Sequence, residues 1–160
     1  MGLSRSTIAA GLGAGVLGTV AMTGWQELSS RLMSNGDSEG KTEPPSWDDA
    51  PVPAQVARKL ATAAGVDPDP KRIPLLTNVM HWSYGTGWGA VYPLLPKRPL
   101  TGVAFGAGVW AMSYVQLVPL GLYEPPWKYP PTQLALDLWN HLVYGVGTQV
   151  GDALISRATG

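Results

Sequence analysis

The chain holds two histidines, and both stand in the same phrase, H-x-x-Y-G-x-G. One copy carries His81, Tyr84, Gly85 and Gly87, the other His141, Tyr144, Gly145 and Gly147. On a helix, residues three and four apart share a face, so each His clusters with its Tyr and first Gly. One turn earlier the copies differ: Thr77 precedes His81, whereas Asp137 precedes His141. Asn78 and Asn140 add polar groups beside them. Three chemistries fit these residue types. The first is proton or ion handling, with Asp137 fixing the tautomer of His141 and His81 as its symmetry mate. The second is a bis-histidine haem b site with His81 and His141 as axial ligands, the neighbouring glycines leaving room for the macrocycle. The third is structural, each polar group bonding a neighbouring helix. The third leads, because polar residues inside membranes commonly serve as modest interhelical bonds. No cofactor is expected, haem b being the alternative, and no metal site unless haem is bound. No catalytic residue is assigned: G-x-S-x-G, H-E-x-x-H and phosphate-loop patterns are absent. A proton-relay or haem role would rest on His81, Tyr84, Asp137, Asn140, His141 and Tyr144.

The stretches that must position these residues are nearly free of charge. No Asp, Glu, Lys or Arg occurs over 6–26, 73–96 or 99–123. Each run exceeds the roughly 20 residues that a helix needs to cross hydrocarbon. Charged residues make up 14% of the chain, against roughly 25% in soluble domains. Eleven basic and eleven acidic residues cancel, and the basic ones form no stripe, so no nucleic-acid partner is expected. With no cysteine, thiolate, disulfide and iron–sulfur chemistry are excluded.

Four spans follow, at about 7–27, 73–95, 100–120 and 132–155. The last is interrupted by Asp137 and Asp152. The first is expected to be a retained span rather than a cleaved leader, since Gly11, Gly13, Gly15 and Gly18 suit helix packing. Each span carries a small-xxx-small pair: Gly11 with Gly15, Gly85 with Gly89, Gly102 with Gly106, and Gly147 with Gly151. In lipid such pairs let backbones approach closely. The 96–99 connector, Pro-Lys-Arg-Pro, is short enough to make its flanking spans antiparallel neighbours. The long connector, 34–72, is expected outside the membrane. Its start, 34–43, reads as flexible, and 53–65 reads as a short amphipathic helix with Val52, Val56, Leu60 and Ala64 on one stripe.

The His phrase recurs after 60 residues; Ala21, Met22 and Gln26 recur as Ala111, Met112 and Gln116 after 90. Two hairpins related by duplication would explain both, the second with the shorter connector. First and third spans would then run one way, second and fourth the other.

Residues 76–92, with His81, Tyr84 and Tyr92, resemble a poorly characterised group of bacterial membrane proteins, similar to the YagU-like inner-membrane family. So do 117–129, with Tyr123 and Trp127, and the following Asp137, His141 and Tyr144. The resemblance covers about 46–151. It implies a bacterial inner-membrane location and brings no established activity, cofactor or catalytic residue. An association of the wider family with acid tolerance would fit a His/Asp site.

The expectation is therefore a single all-α membrane domain over 1–160: an integral four-helix bundle from two duplicated hairpins. It is expected in the bacterial cytoplasmic membrane, with both termini cytoplasmic on the evidence of Lys97 and Arg98. Its partners would be the lipid bilayer and either another membrane protein or a second copy. The expected role is a non-enzymatic scaffold, accessory subunit or transport-related protein.

Overall fold

Five α-helices account for most of the described residues, and no strand occurs among them: the protein is all-α. The computed structural model describes residues 5–33 and 46–159, without the Arg5 side chain. The stretch read from sequence as flexible, 34–43, lies outside them. The helices are α1 (Arg5–Met33), α2 (Val52–Ala63), α3 (Ile73–Gly89), α4 (Thr101–Leu117) and α5 (Pro131–Thr159). Packing divides the chain into two compact units: Met1–Met33 with Gly85–Gly160, and Ser34–Tyr84. The division falls within α3.

In the first unit, glycine decides how close the helices lie. A Cβ on Gly15 would stand 2.7 Å from the Gly85 carbonyl oxygen, and one on Gly11 2.7 Å from that of Gly89. Gly102 of α4 meets Gly145 of α5 in the same way, at 2.7 Å. These are backbone-to-backbone contacts that no side chain fits. Gly147 and Gly151 serve a different neighbour, taking Ala21, Leu17 and Ala14 of α1. Gly13 lies against Ile155 and Trp25 against Trp139, so α1 and α5 run antiparallel. The α4 contacts to α5 are antiparallel too, so α1 and α4 share one direction.

The glycine contacts do not keep the register of the repeats read from the sequence. The Gly85 carbonyl meets Gly15, and the Gly145 carbonyl meets Gly102. Gly85 and Gly145 are 60 residues apart, but Gly15 and Gly102 are 87 apart, not 90. The Ala-Met repeat does not mark equivalent positions: Thr23 is exposed and Ser113 is buried.

Burial in this unit falls on the aromatic and apolar Tyr92, Phe105, Val109 and Tyr144 and, beside them, on small and polar residues. Ala14, Thr19, Thr148 and Asp152 are inside, while Leu12, Val16, Val20, Val146 and Val150 are exposed. The buried hydroxyls bond back along their own helices, Thr19 Oγ1 to the Gly15 carbonyl and Thr148 Oγ1 to the Tyr144 carbonyl, each at 2.9 Å. Neither of these two hydroxyls is left to seek water.

α3 ends earlier than the sequence suggests. Its last turn tightens, with Ala90 N–H bonding the Gly87 carbonyl, and the chain continues as the 3-10 turn Tyr92–Leu94. Pro93 and Pro96 lack the N–H that further helix would need.

The second unit is small. Ala50, Ala54 and Ile73 form its core, with Trp47 and Leu76 packed on it. The Arg58 guanidinium lies 4.9 Å from the Trp47 ring centre. α2 ends in a Schellman motif: Gly65, at φ +81°, turns the chain, and the Val66 N–H bonds back to the Ala61 carbonyl at 2.8 Å. The helix packs by a face other than its apolar stripe. Ala54 is fully buried, whereas Leu60 is 61% exposed. Thr77 and Asn78 bond back to the carbonyls of Ile73 and Pro74.

Candidate functional site

α5 carries four of the residues singled out from sequence: Asp137, Asn140, His141 and Tyr144. The helix begins at Pro131, whose fixed φ suits the first turn and whose missing N–H would have no partner there. The carbonyl of Pro130 accepts from the N–H groups of Gln133 and Leu134. Asp137 lies one turn before His141 and faces α4.

The Asp137 carboxylate does not turn to His141 as the sequence spacing suggests. Its Oδ2 accepts from Trp110 Nε1 at 3.0 Å and from the Tyr114 hydroxyl at 3.3 Å, both on α4. His141 Nδ1 instead meets the backbone carbonyl oxygen of Asp137 at 2.8 Å, with Asp137 Oδ1 farther off at 3.5 Å. A carbonyl can only accept, so Nδ1 carries a proton, and in the neutral ring Nε2 holds the lone pair. The tautomer is thus fixed by the backbone, not by the carboxylate. Asn140 is half-buried on the same helix.

Tyr144 is buried, and its hydroxyl donates to the Gly85 carbonyl at 2.6 Å. Its ring packs on Phe105, which also meets Tyr92 and Trp88. His81 and Tyr84 belong to the second unit, both half-buried on α3. The candidates thus divide between the two units. The room expected for a macrocycle beside Gly85 and Gly145 is filled: Thr19 occupies the first position, and the backbone of Gly102 and Gly106 the second.

Trp110 and Tyr114 were not singled out from sequence. Their signal was chemical: an indole N–H and a phenol one turn apart in a charge-free stretch need an acceptor, and Asp137 is one of few within reach. They continue into an aromatic cluster. Tyr114 lies 5.4 Å from Trp110, 5.2 Å from Tyr123 and 6.2 Å from Tyr129, between ring centres.

A second polar cluster lies at the other end of α5. Asp152 pairs with Lys97 at 2.6 Å, and the same ammonium sits 4.8 Å from the centre of the Tyr92 ring. Gln149 Oε1 accepts from the Gly102 N–H at 2.6 Å, capping the start of α4, while its Nε2 donates to the carbonyls of Arg98 and Pro99. Thr101 Oγ1 donates to the Pro96 carbonyl at 2.6 Å and accepts from the Arg98 N–H at 3.2 Å. Side chains thereby replace the helix bonds that the first turn of α4 cannot make.

No family model, curated protein or solved structure matches the chain. The geometry therefore carries the functional reading.

Proposed function

We propose that this chain is a small integral membrane protein of the multi-pass helical kind, serving as a non-enzymatic scaffold or accessory subunit. The observation that carries the reading is the apolar surface that the first unit turns outward while polar side chains are buried. Thr19, Thr148 and Asp152 are inside, and rows of Val and Leu on α1 and α5 are outside. In water each such side chain, roughly half exposed, forgoes half of the roughly 1.5–3 kcal/mol that full burial brings. Contiguous apolar surface on that scale marks a face meant for another apolar phase. An open groove of about 770 Å³ adds to it, walled by Leu17 and Ala21 of α1, Val103 of α4, and Trp139, Val146 and Val150 of α5.

The stretch Ser6–Leu32 is long and apolar enough to cross a bilayer by length and composition. α3 and α4 have 17 residues each, about 25 Å of helix at 1.5 Å per residue. That is the short end of the spanning range. On this reading the α5 carboxylates lie near the two edges of the apolar layer, each tied to donors. Gly13 beside Ile155 brings the outer ends of α1 and α5 together, and Lys97 ties the α3–α4 connector to that end. The basic pair Lys97 and Arg98 favours the cytoplasmic side there, with both termini.

Asp137 Oδ2, Tyr144 and Gln149 tie α5 to neighbouring helices, and His141 Nδ1 bonds within its own helix, which supports a scaffold over a reaction centre. Expression with a carboxy-terminal reporter that is active on one side of the membrane tests the placement. The account expects the chain in carbonate-washed membranes with its carboxy terminus cytoplasmic; recovery in the wash would overturn it.

A further inference from the structure

α2 differs in kind from the four longer helices. It sorts apolar from polar side chains more sharply than α1, α3, α4 or α5, and it is the least apolar of the five on average. A helix with that pattern lays its apolar face either on the protein or in the headgroup layer of a bilayer. α2 does not turn that face to the protein. The side it buries carries Ala54, which shares a small core with Ala50 and Ile73. Residues three and four apart share a face, so Val52, Val56, Lys59, Leu60 and Ala63 lie together on the other side. Val52 and Val56 are half-buried, and Lys59, Leu60 and Ala63 are exposed. Val66, just past the turn at Gly65, is exposed as well.

We infer that this face of α2 docks on the surface of an anionic bilayer leaflet. The inference rests on the membrane reading of α3 and adds a specific lipid contact to it. Two observations select lipid as the occupant. The first is position. Ile73 opens the charge-free run that α3 carries into the apolar layer, and Ile73 is packed with Ala54 of α2. α2 is thereby held at the level where the spanning helix enters the bilayer. The second is charge. α2 carries Arg58 and Lys59 and no acidic residue. Arg58 is engaged by the Trp47 ring and, at 4.0 Å, by Asp67. Lys59, Lys71 and Arg72 are exposed and meet no carboxylate among the described residues. Lys59 stands on the apolar face itself, where its stem can lie along that surface while its ammonium reaches a lipid phosphate. Lys71 and Arg72 directly precede Ile73 and so stand at headgroup depth. Asp69, beside them, has one carboxylate oxygen turned back to the Lys71 N–H at 2.8 Å.

The test is a nitroxide on Leu60→Cys in the full chain, reconstituted in phosphatidylcholine vesicles with and without phosphatidylglycerol. Collision rates with oxygen and with a water-soluble nickel complex report its depth. With phosphatidylglycerol the label should sit about 5–10 Å into the headgroup–acyl boundary. A label on Thr62→Cys, off that face, should stay open to nickel. Lys59→Gln should lower the ratio of docked to undocked label about fivefold, and high salt should release it. Nickel access at Leu60→Cys equal to that at Thr62→Cys would overturn the docking. So would shielding from both oxygen and nickel, which would mark a protein partner or a second copy on the face. Equal docking with and without phosphatidylglycerol would overturn the anionic headgroup as the partner. A Val146→Cys label separates this inference from the reading beneath it. Lipid at Val146 with water at Leu60 sinks the α2 contact alone, and water at both sinks the membrane reading and the contact together.

Discussion

Asp152 and Asp137 lie on the same helix, 15 residues apart, and their charges are handled in opposite ways. Asp152 is nearly buried and meets a cation directly, Lys97 at 2.6 Å. Asp137 is more open and accepts only from an indole and a phenol. At the Asp152 end, charge, backbone carbonyls and a helix start are all satisfied by side chains of one short connector and α5. At the Asp137 end the hydrogen bonds are made but no lysine or arginine among the described residues meets the charge. The first arrangement is complete in itself, and it stabilises the α3–α4 connector. The second holds one carboxylate oxygen by neutral donors on α4 and leaves the other 3.5 Å from His141 Nδ1. Two acidic residues that look alike in sequence thus differ in what they can do, and the difference comes from their partners on other elements.

The largest expected effect comes from the contact between the two ends. Gly145→Leu would drive a side chain into the backbone of Gly102 and Gly106 and cost about 3 kcal/mol or more. Thermal melting in detergent should show both ends lost together; a variant that melts like the wild type would break the link between them.

Next is Lys97→Met, which leaves the buried Asp152 carboxylate without its cation, at about 1–3 kcal/mol. Adding Asp152→Leu should recover most of that loss, because an apolar pair carries no desolvation penalty. Lys97 is half exposed, which holds the effect below that of a fully buried pair. If the double variant is no better than the single one, the pairing is not what stabilises that end.

Trp110→Phe removes one neutral donor from Asp137 and should cost about 1 kcal/mol. Tyr144→Phe removes the bond to the Gly85 carbonyl and should cost about 0.5–1.5 kcal/mol. Chemical denaturation resolves both. A Trp110→Phe loss as large as that of Lys97→Met would erase the contrast between the ends.

Much of this architecture was legible in the chain. Charge-free runs placed α1, α3 and α4, and the apolar positions of 132–155 placed α5, while α3 stops short of the span read for it. Gly11, Gly15, Gly85 and Gly89 were readable as close-approach positions, since no side chain offers another reason for them. The partners were harder. Gly145 looked like part of a His phrase, yet it is the residue that meets α4. The direction of the Asp137 side chain depends on Trp110 and Tyr114, which lie 27 and 23 residues upstream. Spacing along one helix says nothing of a choice made between two helices. The repeat register failed for a similar reason: Ala21 packs on α5, while Ala111 is exposed. Identity of letters did not imply identity of environment.

The central claim is that the first unit turns its apolar surface to lipid. The chain has no cysteine, so single nitroxide labels can be placed at Val16, Val20, Val146 and Val150 without removing any native residue first. Collision rates with oxygen and with a water-soluble nickel complex, measured in lipid vesicles, then report the phase at each position. The account predicts high oxygen and low nickel accessibility at all four sites. High nickel accessibility at these positions, with the protein folded, would contradict it.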